Sequence, residues 1–208
     1  MKLRARLLVL SISTVAVIVT VLFALHLDSL TRNWLDSALE HSNLAGQEIV
    51  KDIVDQISDA PPGEPGETPD QRKQTWVTII ADDKSLADAM VEQAAMRSVS
   101  IVEINILDEN GRVINSSIPS RIGQDAPRRQ NLQVVRDSGF FGRLRAIAGS
   151  RDDYQTRIPL GLMGAKEPAR PVFQVQVLVS SILLWDKVRP ELQSTAYVSI
   201  FALLAAAG

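Results

Sequence analysis

The chain contains no cysteine. That excludes a disulfide framework and any thiolate metal site. Histidine is nearly missing too, with His26 and His41 the two examples. Neither has a metal-ligand neighbour at suitable spacing, and both read as structural or solvated side chains rather than phosphoacceptors. There is no glycine-rich nucleotide loop. The paired carboxylates Asp82-Asp83 and Asp152-Asp153 read as solvated caps, because neighbouring strand residues point to opposite faces. No catalytic constellation, cofactor or metal is implied. A basic excess is also lacking. Taking the three cations of the N-terminal tail from the total of 22 leaves 19 Lys and Arg against 24 Asp and Glu. Such an acidic surface argues against nucleic acid as a partner.

The most informative absence is local. Residues 7–27, LLVLSISTVAVIVTVLFALHL, carry no Asp, Glu, Lys or Arg. A hydrocarbon core of roughly 30 Å needs about 20 apolar helical residues to cross it, and lipid forces such a segment to be helical. The run is longer than the core of a signal peptide and ends in Ala24-Leu25-His26-Leu27-Asp28, without a small-residue cleavage pattern. It reads as an uncleaved anchor. Lys2, Arg4 and Arg6 precede it and stay in the cytoplasm, so the chain from Asp28 onward lies outside. The expected location is the inner (cytoplasmic) membrane, with the folded domain beyond it.

A second uncharged stretch, LQSTAYVSIFALLAAAG, occupies residues 192–208. It is slightly short for a span and has no basic flank after it. The reading is most of a second membrane helix, cut off before its cytoplasmic end; the alternative is an apolar tail folded back on the domain. The organisation expected is therefore a tail (1–6), a first span (7–27), an exterior domain (28–191) and a second span (192–208).

Within the exterior, Leu30, Trp34, Leu35, Ala38, Leu39, Ala45, Ile49, Ile53 and Ile57 recur at three- and four-residue steps and predict one apolar stripe on a helix continuing the first span. The stripe is broader than a strict heptad, so both the domain's own sheet and a second subunit are expected to use it. SDAPPGEPGETPD (58–70) breaks the helix. Short helices follow over 71–81 and from Asp83 or Ser85, the latter burying Leu86, Met90, Ala94 and Met96. The period then changes. Val102, Ile104 and Ile106 alternate with Glu103 and Asn105, as in a strand with one buried face. Asn110-Gly111 predicts a two-residue hairpin turn, and 112–117 the returning strand. Short helices are expected near 131–137 and 140–148. Strands are expected over 151–162, with Tyr154, Thr156 and Ile158 on one side, and over 172–181. In the latter Phe173, Val175 and Val177 oppose Gln174 and Gln176. A turn is expected over 164–171. An exit helix begins at Ile182, with a kink or brief break at Pro190.

Helices first and then an antiparallel sheet make an α+β domain. The stretch INILDENGRVINSSIPSRIGQ, 104–124, resembles the central hairpin of extracytoplasmic PAS-like sensor domains of the Cache or PDC class. The matching positions are Asp108, Gly111, Ser116, Ser117 and Gly123. The resemblance implies a PAS-like antiparallel sheet with a long N-terminal helix, flanked by two membrane helices, acting as the input region of a sensor histidine kinase. A chemoreceptor, a cyclic-nucleotide signalling enzyme, or a stand-alone structural or interaction domain would share this architecture.

The expected ligand site follows from strand parity. Glu103, Asn105, Gln174 and Gln176 occupy the sheet face away from the long helix. The basic segment from Arg121 to Arg145, and the strand with Tyr154 and Arg157, come in the order expected to cover that face. A loop-covered pocket lined by a few polar groups suits a small ligand, and an arginine fork suits a carboxylate. The partners expected are the membrane, a small molecule and a second copy of the chain through the long helix.

Overall fold

The structure, a computed structural model, describes residues 2–61, 66–98, 100–149, 151–161 and 171–207. The turn expected over 164–171 lies, apart from Pro171, outside the described residues, as do residues 62–65 of the proline-rich loop.

Helix α1 runs unbroken from Lys2 to Ser58, 57 residues, a rod of about 85 Å. Its apolar start continues without a joint into the stripe that carries the domain. Leu35, Ala38, Ala45, Ile49 and Ile53 are fully or almost fully buried, and Leu30, Trp34, Leu39, Val50 and Ile57 pack at their margins. Thr31 and Ser42 complete the seam as buried polar residues; their hydroxyls donate to Asp28 O and Ala38 O of the same helix, so neither is left unsatisfied. Gly46 lies on the same side. A Cβ there would stand 2.4 Å from Ile158 Cδ1, so glycine is what lets the helix lie close to the sheet. The seam is taken up by the chain's own strands and exit helix, which leaves the exposed faces of α1 for any second subunit.

Helix α2 (Pro69–Asp82) opens with a reciprocal cap between Thr68 and Gln71 and has proline at its first position, where no N–H is needed. Helix α3 (Lys84–Arg97) is capped by Asp83, whose Oδ1 accepts from the backbone of Ser85 and Leu86. Leu86 and Met90 face the core as expected. Met96 does not and is 76% exposed; ten residues beyond Leu86 it has drifted about 80° from that stripe.

The sheet has five strands: β1 (Ile101–Asp108), β2 (Val113–Ser116), β3 (Gln130–Asn131), β4 (Asp153–Leu160) and β5 (Phe173–Ser180). Their order is β2-β1-β5-β4-β3. All pairings are antiparallel except β3 with β4. One face, with Ile104, Ile106, Tyr154, Val175, Val177 and Val179, joins the core formed with α1. Val102 is not part of it. The register slips between Ile101 and Glu103, a bulge that puts two residues against one. Ile101 takes the buried place and Val102 is left exposed.

The hairpin between β1 and β2 also differs from a two-residue turn. Gly111 has φ +83°, while Asn110 does not enter the left-handed region. Asp108 holds the turn instead, its carboxylate accepting from the backbone N–H of Asn110 and Arg112. This is a three-residue loop closed by a glycine bulge.

Two short helices, α4 (Leu132–Arg136) and α5 (Phe140–Ala148), pack on the α1 side, and α6 runs from Ser181 to Ala207. It is helical through Pro190, so of the expected kink or brief break the break is absent; proline still deprives the Asp186 carbonyl of its usual donor. Among the described residues one helix, α1, is long and apolar enough to cross a membrane, and none of its apolar stretch is buried by protein. The expectation of two spans narrows to this one on length and composition.

Two substitutions test the packing. Ile49→Ala should cost about 2–5 kcal/mol and lower Tm by about 5–15 °C in thermal melts followed by circular dichroism. Asp52 behaves oppositely. Burial first, then Glu48 one turn away, raises its carboxyl pKa above the usual value. The folded state therefore disfavours the charged form, a penalty present at neutral pH and removed as pH falls below the carboxylate range. Asp52→Asn should raise stability at pH 7 by about 0.5 kcal/mol, and the gain should vanish in acid.

Candidate functional site

Cross-strand partners share a face of a sheet. Asn105 stands opposite Ser116 on β2 and Gln176 on β5, and Gln176 stands opposite Arg157 on β4. These residues, with Glu103 and Gln155, form the face turned away from α1. Leu107 and Leu178 flank them and are buried.

The burial comes from a strap of chain. After β2, Ser116 Oγ accepts from Ile118 N, and a 3₁₀ turn at Pro119–Arg121 follows. Gly123, at φ +82°, turns the chain back along the β2 edge, where Val113 exchanges hydrogen bonds with Gly123 and Gln124. The strap then passes over the sheet. Pro127 O accepts from Gln176 Nε2 at 2.9 Å, and Gln130–Asn131 pair with β4 at the opposite edge.

Beneath it the polar side chains satisfy one another. Asn105 Nδ2 donates to Glu103 Oε1 at 2.7 Å and to Gln176 Oε1 at 3.3 Å, and its Oδ1 accepts from Ser116 Oγ at 2.7 Å. Gln176 Nε2 also reaches Gln155 Oε1 at 2.6 Å. Arg121 approaches Glu103 at 3.3 Å, the arginine 42% exposed and the carboxylate 5%. A buried carboxylate held by an amide and a guanidinium is compensated rather than reactive.

Six of the seven predicted site residues therefore share this face. Glu103, Asn105, Gln176 and Arg121 are joined by contact, and Arg157 reaches them through Gln155 at 3.2 Å. Gln174 is two residues along β5 on the same face, half-buried. Tyr154 is not with them. It lies three residues from Arg157, and odd spacing on a strand reverses the face; its ring is in the α1-side core and its hydroxyl donates to Ala146 O at 2.9 Å. The basic segment also divides. Arg121 and Arg128 stay with the strap, whereas Arg136 and Arg143 reach carboxylates on α1. Ser116 and Gln155 belong to the network without having been predicted as site residues. Gln155 shares parity with Arg157, a signal available in the strand pattern.

The electrostatics of the rim set it apart from the compensated floor. Burial lowers the Arg157 guanidinium pKa from its ordinary value, and the nearby charge of Arg128 adds to this. No salt bridge to either arginine is found among the described residues. Two neighbouring cations with no carboxylate partner among the described residues have the charge that a small anion requires. No group of side chains suited to a metal ion occurs among the described residues.

The network predicts an unequal response to isosteric change. Asn105→Leu strands the partners of three hydrogen bonds and should cost about 1–3 kcal/mol in urea unfolding. Gln174→Leu, on the same face, should stay within about 0.5 kcal/mol of the parent. Against these features, no protein-family model and no curated protein matches the chain.

Proposed function

We propose that the chain is the membrane-anchored input region of a signalling protein of the sensor histidine kinase type. In this reading the exterior domain is PAS-like and recognises a small organic anion at Arg157 and Arg128, over the floor of Asn105, Gln155 and Gln176. The observation that carries the proposal is connectivity. β5 contributes Gln176 to the polar face and ends at Ser180; α6 begins at the next residue. α6 then packs against α1. Trp34 Nε1 donates to Glu191 Oε2 at 3.4 Å, and Lys187 Nζ lies 5.8 Å from the Trp34 ring centroid. A displacement of β5 has no linker in which to dissipate.

An anion that favours one placement of β5 shifts α6 relative to α1 by its differential affinity for the two states. α6 carries that shift along α1, the one helix among the described residues long and apolar enough to span a membrane, and a homodimer through the exposed faces of α1 completes the scheme. The residues themselves supply no phosphotransfer chemistry, so the domain acts by binding and displacement alone.

The test is thermal stability of the full chain in detergent micelles against a panel of small mono- and dicarboxylates. A binding acid at 100-fold excess over its Kd should add about 2.7 kcal/mol, and Arg157→Ala or Arg128→Ala should abolish the gain without lowering the ligand-free Tm. No shift with any acid, or an equal shift in both variants, contradicts the assignment.

A further inference from the structure

A cavity that the signalling scheme leaves unused lies at the β3 edge of the sheet, between α5 and the start of β4. Its volume is about 550 Å³, and Gln130, Arg145, Arg151, Asp152 and Tyr154 line it. Sites for small ligands commonly enclose roughly 300–1,000 Å³.

Two arginines give the cavity its charge. Arg145 on α5 and Arg151 before β4 are both exposed, and neither guanidinium has a hydrogen bond or an ion pair among the described residues. The end of α5 does not engage the Arg145 side chain. Arg145 O accepts from Gly149 N at 2.8 Å, and Ala146 O accepts from the Tyr154 hydroxyl at 2.9 Å. The second bond also fixes the wall of the cavity, because it ties β4 to α5. Gly149, at the rim of the cavity, keeps the space beside Arg145 open. A Cβ there would stand 3.1 Å from Arg145 O and 3.6 Å from Arg145 Cγ.

Asp152 limits the charge of the ligand. Two guanidinium groups against one carboxylate leave one positive charge in excess. A second ligand carboxylate would meet Asp152 and be repelled. A ligand hydroxyl would instead be accepted by it, since a carboxylate has about four lone-pair sites, and the Gln130 amide both donates and accepts. The match is a monoanion rich in hydroxyl groups.

We propose that this cavity is a second ligand site, for a small sugar acid whose carboxylate is held by Arg145 and Arg151 and whose hydroxyls meet Gln130 and Asp152. It is separate from the rim at Arg157 and Arg128, because Tyr154 and Arg157 project from opposite faces of β4. Its place in the fold gives it a route to α6. Asp153 pairs with Ser180 and Tyr154 with Val179, and α6 begins at Ser181. A ligand that draws α5 toward the start of β4 therefore acts at the root of α6.

The test uses the full chain in maltoside micelles, in the Arg157→Ala background so that the rim is disabled. Glucuronate or gluconate at about 10 mM should raise Tm by about 2 °C or more, and glucose or succinate at the same concentration should not. Arg145→Gln and Arg151→Gln, both at exposed side chains, should each abolish the shift and leave the ligand-free Tm unchanged. The sugar acid should also protect Arg145 and Arg151, but not the exposed Arg189, from phenylglyoxal, as read by peptide mass spectrometry. No shift with either sugar acid, an equal shift with glucose or succinate, or a shift that survives both arginine variants overturns the proposal. The two sites fail separately. A carboxylate effect lost in Arg157→Ala alone belongs to the rim, and one lost in Arg145→Gln alone belongs to this cavity.

Discussion

The seam along α1 from Thr31 to Ile53 is the contact on which the folded domain depends. Its steps of three and four residues keep small and branched side chains on one side of a single helix, and Gly46 lets that side lie almost against β4 and β5. The sheet gains its buried face from this contact, and α6 packs beside it. Because the same helix begins as an apolar stretch with no protein covering it, the domain cannot change its hold on α1 without changing its stance toward whatever surrounds that stretch. No glycine or proline interrupts α1 between Asp28 and Ala45, and the helix is continuous through Gly46 to Ser58.

The two faces of the sheet solve different problems. The α1 side is closed by hydrocarbon, and its burial is non-directional. The other side is closed by a strap that carries one 3₁₀ turn and ends in the two-residue strand β3, and it is held by hydrogen bonds among amides, a serine and one carboxylate. Such a network is exacting: every member is satisfied or the burial is lost. It also keeps the strap near Arg157 and Arg128, so that a rim of uncompensated charge sits on a floor with fixed geometry. The covered face thus takes one of its two rim cations, Arg157, from β4 and the other, Arg128, from the strap.

Much of the fold was legible. The α1 stripe, the alternation through Ile104 and Ile106, and that through Phe173 to Val177 gave the helix, two central strands and the face each buries. What escaped has definite physical causes. The bulge that exposes Val102 is a register event between strands, invisible to alternation in one of them. Tyr154 was grouped with Arg157 although three residues along a strand reverse the face. The Asn110-Gly111 pair pointed to a two-residue turn, but the Asp108 carboxylate, by taking two backbone N–H groups, selected a longer one. Of the polar site, the residues on β1 and β5 could be read from parity, whereas the role of Ser116 and the separation of Arg121 and Arg128 from Arg136 and Arg143 depend on where the strap crosses and on α4 and α5 returning to α1. Those are long-range choices that no local pattern encodes.

The account stands or falls on the side of the membrane that the covered sheet faces. Since the chain has no cysteine, Ser120→Cys on the exposed 3₁₀ turn provides a single reactive thiol. A membrane-impermeant maleimide should label it in intact cells at the same rate as in lysed ones. Labelling only after the cytosol is opened would contradict the account.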